Sequence, residues 1–139
     1  MEIFTNTVIK QGDKTATTTM AGIPETPVDA PAVYDGDPSA MNPEEMFVAS
    51  INSCIMLVFY HFANKFKVGI DKYNSEAQGK VEKTKNGLRF TSVQVNAQVS
   101  LADGSHTEKI EEIAQLAEKY CLVSGSVACP VEYKVEIVN

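Results

Sequence analysis

Asn42-Pro43-Glu44-Glu45-Met46-Phe47-Val48-Ala49-Ser50-Ile51-Asn52-Ser53-Cys54-Ile55-Met56-Leu57-Val58-Phe59-Tyr60-His61-Phe62 is the stretch on which the fold turns. Its opening combines three helix-start signals. Asn42 is a favoured N-cap, Pro43 occupies the first helical position, where the missing N–H costs nothing, and Glu45 follows three residues after the cap. The pattern predicts a helix to about Phe66, some ~24 residues and roughly 36 Å long at the usual rise. Met46, Phe47, Ile51, Ile55, Met56, Leu57, Val58, Phe59 and Phe62 surround its axis on nearly every side. A helix that is apolar all round is expected to be buried all round. One small sheet in a chain of 139 residues cannot cover both faces, so a second copy of the chain is expected to cover the other.

Working outward, residues 2–9 and 14–20 read as short strands about the turn Gln11-Gly12-Asp13. Residues 21–41 carry Pro24, Pro27, Pro31 and Pro38 with Asp35-Gly36, and are expected to form an extended, mostly irregular connection that covers or serves a site. Residues 73–83 and 88–101 alternate polar and apolar side chains, with Asn86-Gly87 as the expected two-residue hairpin turn. Ser105 and Glu108 form a second capping box. It predicts a helix to about Tyr120, with Ile110, Ile113, Ala114, Leu116, Ala117 and Tyr120 on one stripe. A closing strand turns Val131, Tyr133, Val135 and Ile137 inward. Strands, a central helix, a hairpin, a second helix and a last strand define an α+β class, in one domain over residues 1–139.

Composition narrows the function. The net charge is −6, which argues against nucleic acid as a partner, because phosphates demand a basic footprint. Arg89 is the sole arginine, so forked recognition of an anion has one candidate. The first residues lack a basic segment followed by an apolar one, so no secretory signal is expected. The most apolar run, Ile51 to Phe62, is too short to span a bilayer and contains Asn52, Ser53 and His61. A cytoplasmic protein without a membrane partner is expected, and in that compartment Cys54, Cys121 and Cys129 are reactive or buried thiols rather than structural disulfides.

Cys54 at mid-helix would ordinarily be a small hydrophobe. Ser50, Asn52, Ser53 and His61 around it are polar groups in a segment expected to be buried, which sets it apart. His61 lies two turns on, on the same face but ~10 Å away, too far to activate the thiol directly, and is expected to be a core or helix-end histidine. The closest cysteines, Cys121 and Cys129, are eight apart and both histidines stand alone, so no zinc pattern is present. Nor does the chain contain a nucleophile elbow, a phosphate loop or a dinucleotide fingerprint. A thiol pair remains, with Cys121 at the end of the second helix as a candidate partner for Cys54.

Asn42-Pro43-Glu44-Glu45-Met46-Phe47-Val48-Ala49-Ser50, leading to Ser53-Cys54, resembles the N-P-E-E/Q-L-F-x-A stretch that ends in a cysteine in the OsmC/Ohr family of osmotically inducible and organic hydroperoxide resistance proteins. Cys121-Leu122-Val123-Ser124 is similar to that family's second motif, usually C-P-x-S. The resemblance implies an OsmC-like fold, an antiparallel sheet around a long central buried helix with a second helix, as an intertwined homodimer. It also implies thiol-dependent reduction of organic or inorganic hydroperoxides in oxidative or osmotic stress. By position, Cys54 would be the peroxidatic cysteine, Cys121 the resolving one and Glu44 the carboxylate of the site. No cofactor would be bound; an external dithiol such as a lipoyl group would reduce the disulfide.

Glu44 and Cys54 are ten residues apart, ~15 Å of helix rise, so a shared site requires Glu44 from the other subunit. One feature departs from the family pattern. The loop before the N-P-E motif carries an arginine in family peroxidases, whereas Pro31 to Pro38 here has no cation and two aspartates, Asp35 and Asp37. Lys10 or Lys14 could stand in only as a point charge, and Arg89 lies beside the hairpin turn. Cys129-Pro130-Val131 also looks like the C-P-x of the second motif, but Cys121 directly follows the helix, and Cys129 at a strand start is expected to be a buried packing residue. The alternative function is a non-catalytic protein that binds a small hydrophobic ligand at the dimer interface.

Overall fold

The Asn42 side chain caps the central helix, its Oδ1 accepting the Glu45 N–H at 2.8 Å. This is the N-terminal bond that the capping pattern implies. The computed structural model describes residues 1–102 and 107–138, so the Ser105 half of the second capping box lies outside the described residues. In chain order the elements are β1 (Asn6–Ile9), β2 (Ala16–Met20), β3 (Ile23–Val28), α1 (Pro43–Lys65), β4 (Ile70–Thr84), β5 (Gly87–Leu101), α2 (Thr107–Tyr120) and β6 (Val131–Ile137), with single 3₁₀ turns at Ala32–Tyr34 and Ser124–Ser126. The class is α+β, as the order of patterns implies, with two three-stranded sheets.

The chain divides into two compact units, Met1–Phe47 and the stretch from Val48 onward. In the first, β1, β2 and β3 form an antiparallel meander. Here the expectation of an irregular 21–41 connection fails for residues 23–28, which form β3. Two prolines are tolerated there because β3 is an edge strand, where a missing N–H need not interrupt a ladder. The rest of that connection is pinned rather than loose. Met41 donates its N–H to Pro27 O at 3.1 Å and accepts from Asp29 N at 3.0 Å. The Asp29 carboxylate accepts from the backbone N–H groups of Ala30 (2.9 Å) and Asp37 (3.0 Å). Those two bonds hold its pKa below the usual carboxylate value, the Asp37 amide being the stronger influence.

In the second unit, β4 and β5 form a long antiparallel hairpin. Thr84 pairs with Gly87, so the two loop residues are Lys85-Asn86, one earlier than the Asn-Gly pair suggests. Gly87 instead takes the positive φ of 95° at the first paired position, which glycine adopts without strain. The sheet is mixed, not purely antiparallel: β6 pairs parallel to β5, Val95 opposite Tyr133. A parallel neighbour needs a crossover of a dozen residues or more, and α2 with its following turn supplies it.

Ile51, Ile55, Phe59 and Ala63 are fully buried along α1, a single i, i+4 stripe. Val93, Val95, Ala97 and Val99 of β5 and Ile110, Ile113 and Ala117 of α2 complete the core. Burial within one chain is therefore one-sided, and Leu57 on another face of α1 is 64% exposed. The apolar run extends into a 23-residue helix that, by length and composition, could cross a bilayer. Its buried stripe belongs to the core described above.

At Gly79 in β4 a Cβ would stand 2.7 Å from both Phe90 Cε1 and Val48 Cγ2. Gly79→Ala is expected to cost about 1–3 kcal/mol through overpacking. Denaturant unfolding checks this, with an unchanged m-value and a lower midpoint.

Candidate functional site

Two side chains flank the buried stripe of α1 on opposite sides, since residues 52 and 54 stand about 200° apart at 3.6 residues per turn. Asn52 turns toward β4, where its Oδ1 accepts the Ser75 hydroxyl at 2.7 Å. Ser75 in turn hydrogen-bonds Tyr73, whose hydroxyl lies 2.6 Å from that of Tyr133 on β6. Burial pushes both phenols up, Tyr133 strongly, so they stay protonated and paired at neutral pH. This polar thread from β6 through β4 fixes the rotation of α1. It explains why a polar Asn52 sits in an apolar segment, and it leaves Cys54 facing the other way.

There Cys54, half-buried, meets the turn that follows α2. The Cys121 thiol and the backbone N–H groups of Val123 and Leu122 are the neighbours that act on its sulfur. The turn is tightly built. Gly125 donates to Cys121 O at 3.0 Å and Ser126 N to Val123 O at 3.0 Å. The Ser126 hydroxyl donates to Leu122 O at 2.7 Å. Ser124 N–H approaches Cys121 Sγ at 3.4 Å. Cys121 itself is 2% exposed. Both cysteines are free thiols, as is half-buried Cys129.

Burial raises the Cys54 pKa above the usual cysteine value; the Val123 amide opposes this, the neighbouring Cys121 thiol reinforces it, and the Leu122 amide opposes it. The net direction is upward, so less thiolate is present at neutral pH than on a free cysteine. Iodoacetamide alkylation of Cys54, followed by mass spectrometry, should therefore rise about tenfold per pH unit from pH 7 and continue past the point where a free thiol levels off.

Glu44 lies in the first unit, in the first turn of α1, with Oε1 enclosed and lacking a hydrogen-bond partner among the described residues. The Cys54 and Cys121 pairing stands inside the second unit. His61 is exposed and stacks edge-on against Phe62 at 5.1 Å, so the core reading of this residue does not hold. Its position, one turn from the end of α1, fits a helix-end histidine, and it stands about 200° round the axis from Phe59 and Ala63 of the packed stripe. Arg89 faces Glu82 across the hairpin, in the β4–β5 ladder near its turn. The influence of the Leu122 and Val123 amides on the sulfur was not legible in the sequence, because a backbone donor leaves no residue-type signature. Among the described residues, no three His, Cys, Asp or Glu side chains are grouped to hold a metal ion. A concavity of roughly 650 Å³ opens on the polar face of the second sheet, lined by Asn74, Asn96, Gln98 and Lys134, and includes neither thiol.

A family profile described as OsmC-like protein matches residues 36–136. An OsmC-like protein of unknown function from Vibrio cholerae superposes with a TM-score of 0.85 at 26% identity, over 99% of this chain and 100% of that one. A Legionella pneumophila structure described as an organic hydroperoxide resistance protein superposes with a TM-score of 0.75 at 19% identity, over 100% of both chains, a likeness of fold. An uncharacterized protein of Methanocaldococcus jannaschii is 25% identical over 95 residues, which is 68% of this chain. The chain spans about half (49%) of the length of that relative.

Proposed function

The chain belongs to the family of OsmC-like proteins, and on that premise we propose that it reduces hydroperoxides with Cys54 as the attacking thiol and Cys121 as the resolving one. The observation that carries this reading is that the Cys121 thiol, buried at the end of α2, is a neighbour that acts on the half-buried Cys54 thiol of α1. The thiolate of Cys54 attacks the distal oxygen of ROOH, the O–O bond breaks, and the alkoxide leaves and takes up a proton as ROH. The sulfur becomes a sulfenic acid, two electrons having passed to the peroxide. Cys121 then attacks that sulfur, forming the disulfide and releasing water. An external dithiol, of the lipoyl kind, returns the pair to thiols by exchange. No bound cofactor enters the cycle.

Glu44 is the carboxylate of this site in our reading, delivered by a second copy of the chain. The open faces of α1, where Leu57 is 64% exposed, support a homodimer with the two central helices packed together. A reducing cytoplasm suits a cycle that begins and ends with free thiols.

Purified protein should consume cumene hydroperoxide in the presence of a dithiol; absence of turnover removes the reading. Cys121→Ser is expected to reduce about one equivalent of peroxide per chain and then stall, losing roughly a hundredfold or more in steady state. Trapping with dimedone should show the sulfenic acid on Cys54. Steady turnover by this variant at the wild-type rate would transfer the resolving role to Cys129 or to the external thiol.

A further inference from the structure

We propose that Asn52 and Ser75 are positioning residues for the thiol pair: their hydrogen bond on the sheet side of α1 fixes the roll of that helix and holds the Cys54 sulfur where Cys121 can bond to it. The inference rests on the reading of Cys54 and Cys121 as a working pair and deepens it. Packing along Ile51, Ile55, Phe59 and Ala63 gives α1 its place on the sheet, but apolar packing is non-directional and sets the roll only loosely. The Ser75 hydroxyl donates to Asn52 Oδ1 at 2.7 Å, and a bond of that kind is directional.

Ser75 is a firm anchor. It pairs with Ala97 in the middle of the β4–β5 ladder. Tyr73 and Tyr133 stand opposite Val99 and Val95 of β5, and their hydroxyls meet across that strand at 2.6 Å. Ala97 lies between the two valines on the same buried face, and its single methyl group leaves room for the polar cluster. The Phe59 ring, 5.4 Å from that of Tyr73, ties the next turns of α1 to the same place.

Elsewhere on its circumference α1 meets the end of α2. Phe62, about two turns beyond Cys54, has its ring 5.7 Å from that of Tyr120, the residue before Cys121. Cys121 is accordingly among the groups that act on Cys54. A side-chain atom ~5 Å from a helix axis moves roughly 1 Å for ~10° of roll. A misplacement of that size between reacting groups can cost about a hundredfold. The bond on one side of α1 therefore governs the chemistry on the other.

The test is the redox equilibrium of the pair in glutathione buffers, with the Cys54–Cys121 disulfide counted by mass spectrometry after acid quenching. The two thiols pass two electrons and two protons to oxidised glutathione, which leaves as two molecules of the reduced form. Ser75→Ala and Asn52→Ala should each lower the equilibrium constant for the disulfide about tenfold, which is ~30 mV toward easier reduction. Ser75→Thr keeps the hydroxyl and should hold the wild-type value, while the double alanine variant should fall no further than either single one. A merely structural role would lower the unfolding midpoint of both redox forms alike and leave the equilibrium unmoved. An unchanged equilibrium in either alanine variant, equal shifts in Ser75→Ala and Ser75→Thr, additive shifts in the double variant, or no Cys54–Cys121 disulfide in wild type would each overturn the inference. No step uses peroxide. A protein with this dependence but no hydroperoxide turnover would sink the proposed function and leave the positioning role standing; turnover with indifferent equilibria would do the reverse.

Discussion

Cys54→Ser is expected to abolish hydroperoxide consumption, lowering it by roughly three orders of magnitude or more to the uncatalysed rate. A serine hydroxyl is not ionised at accessible pH and cannot be oxidised to the sulfenic level, so both the attack and the electron transfer are lost together. The replacement is almost isosteric at a half-buried position beside the Cys121 thiol. Thermal unfolding should therefore change by only a few degrees. The comparison of peroxide consumption with the melting curve separates chemistry from folding. Residual turnover above about a tenth of wild type would show that another thiol carries the reaction.

Phe59→Ala is expected to give the largest loss of stability, about 3–5 kcal/mol. Phe59 is fully buried at the centre of the α1 stripe, with its ring 5.4 Å from that of Tyr73 and 6.2 Å from that of Tyr60. Removing it leaves a void bounded by Tyr73, whose hydroxyl belongs to the thread that ends on Asn52. The rigid ladder of β4 limits how far the walls can collapse. Urea unfolding measures the effect directly. A loss below about 1.5 kcal/mol would mean that α1 and the sheet close over the gap, and that the stripe is not the packing centre of the second unit.

The sequence carried the parts of this structure that repeat in a simple period. The Asn42 cap, the run of α1 to Lys65 and the alternation in β5 are each set by residue types within a few positions of one another, and all three appear where their patterns fall. Less legible were features decided by partners far along the chain. Pro24 and Pro27 argued locally against a strand, yet an edge position beside β2 accepts them. The direction of β6 was hidden because alternation is the same in parallel and antiparallel pairing. Asn52 looked like a polar group needing a chemical reason until Ser75, 23 residues away, was placed against it. Of the site itself, the polar neighbours of Cys54 and the family resemblance singled out Cys54 and Cys121 but not their proximity, since sequence distance says nothing about which face of α1 meets the end of α2. The amide donors could not be foreseen at all, because every residue but proline carries one.

The parallel pairing of β6 with β5 also orders events during synthesis. The β4–β5 hairpin is local and can form as soon as it has emerged, within microseconds to milliseconds. The last strand cannot register beside Val93 to Val99 until α2 has been made and has folded back. Because the Cys121 turn lies inside that crossover, the loop bearing the second sulfur is closed at both ends only when β6 has left the ribosome. A nascent chain therefore exposes Cys54 for some time before its partner thiol is delivered, and truncation before Val131 would leave the earlier sulfur without a companion.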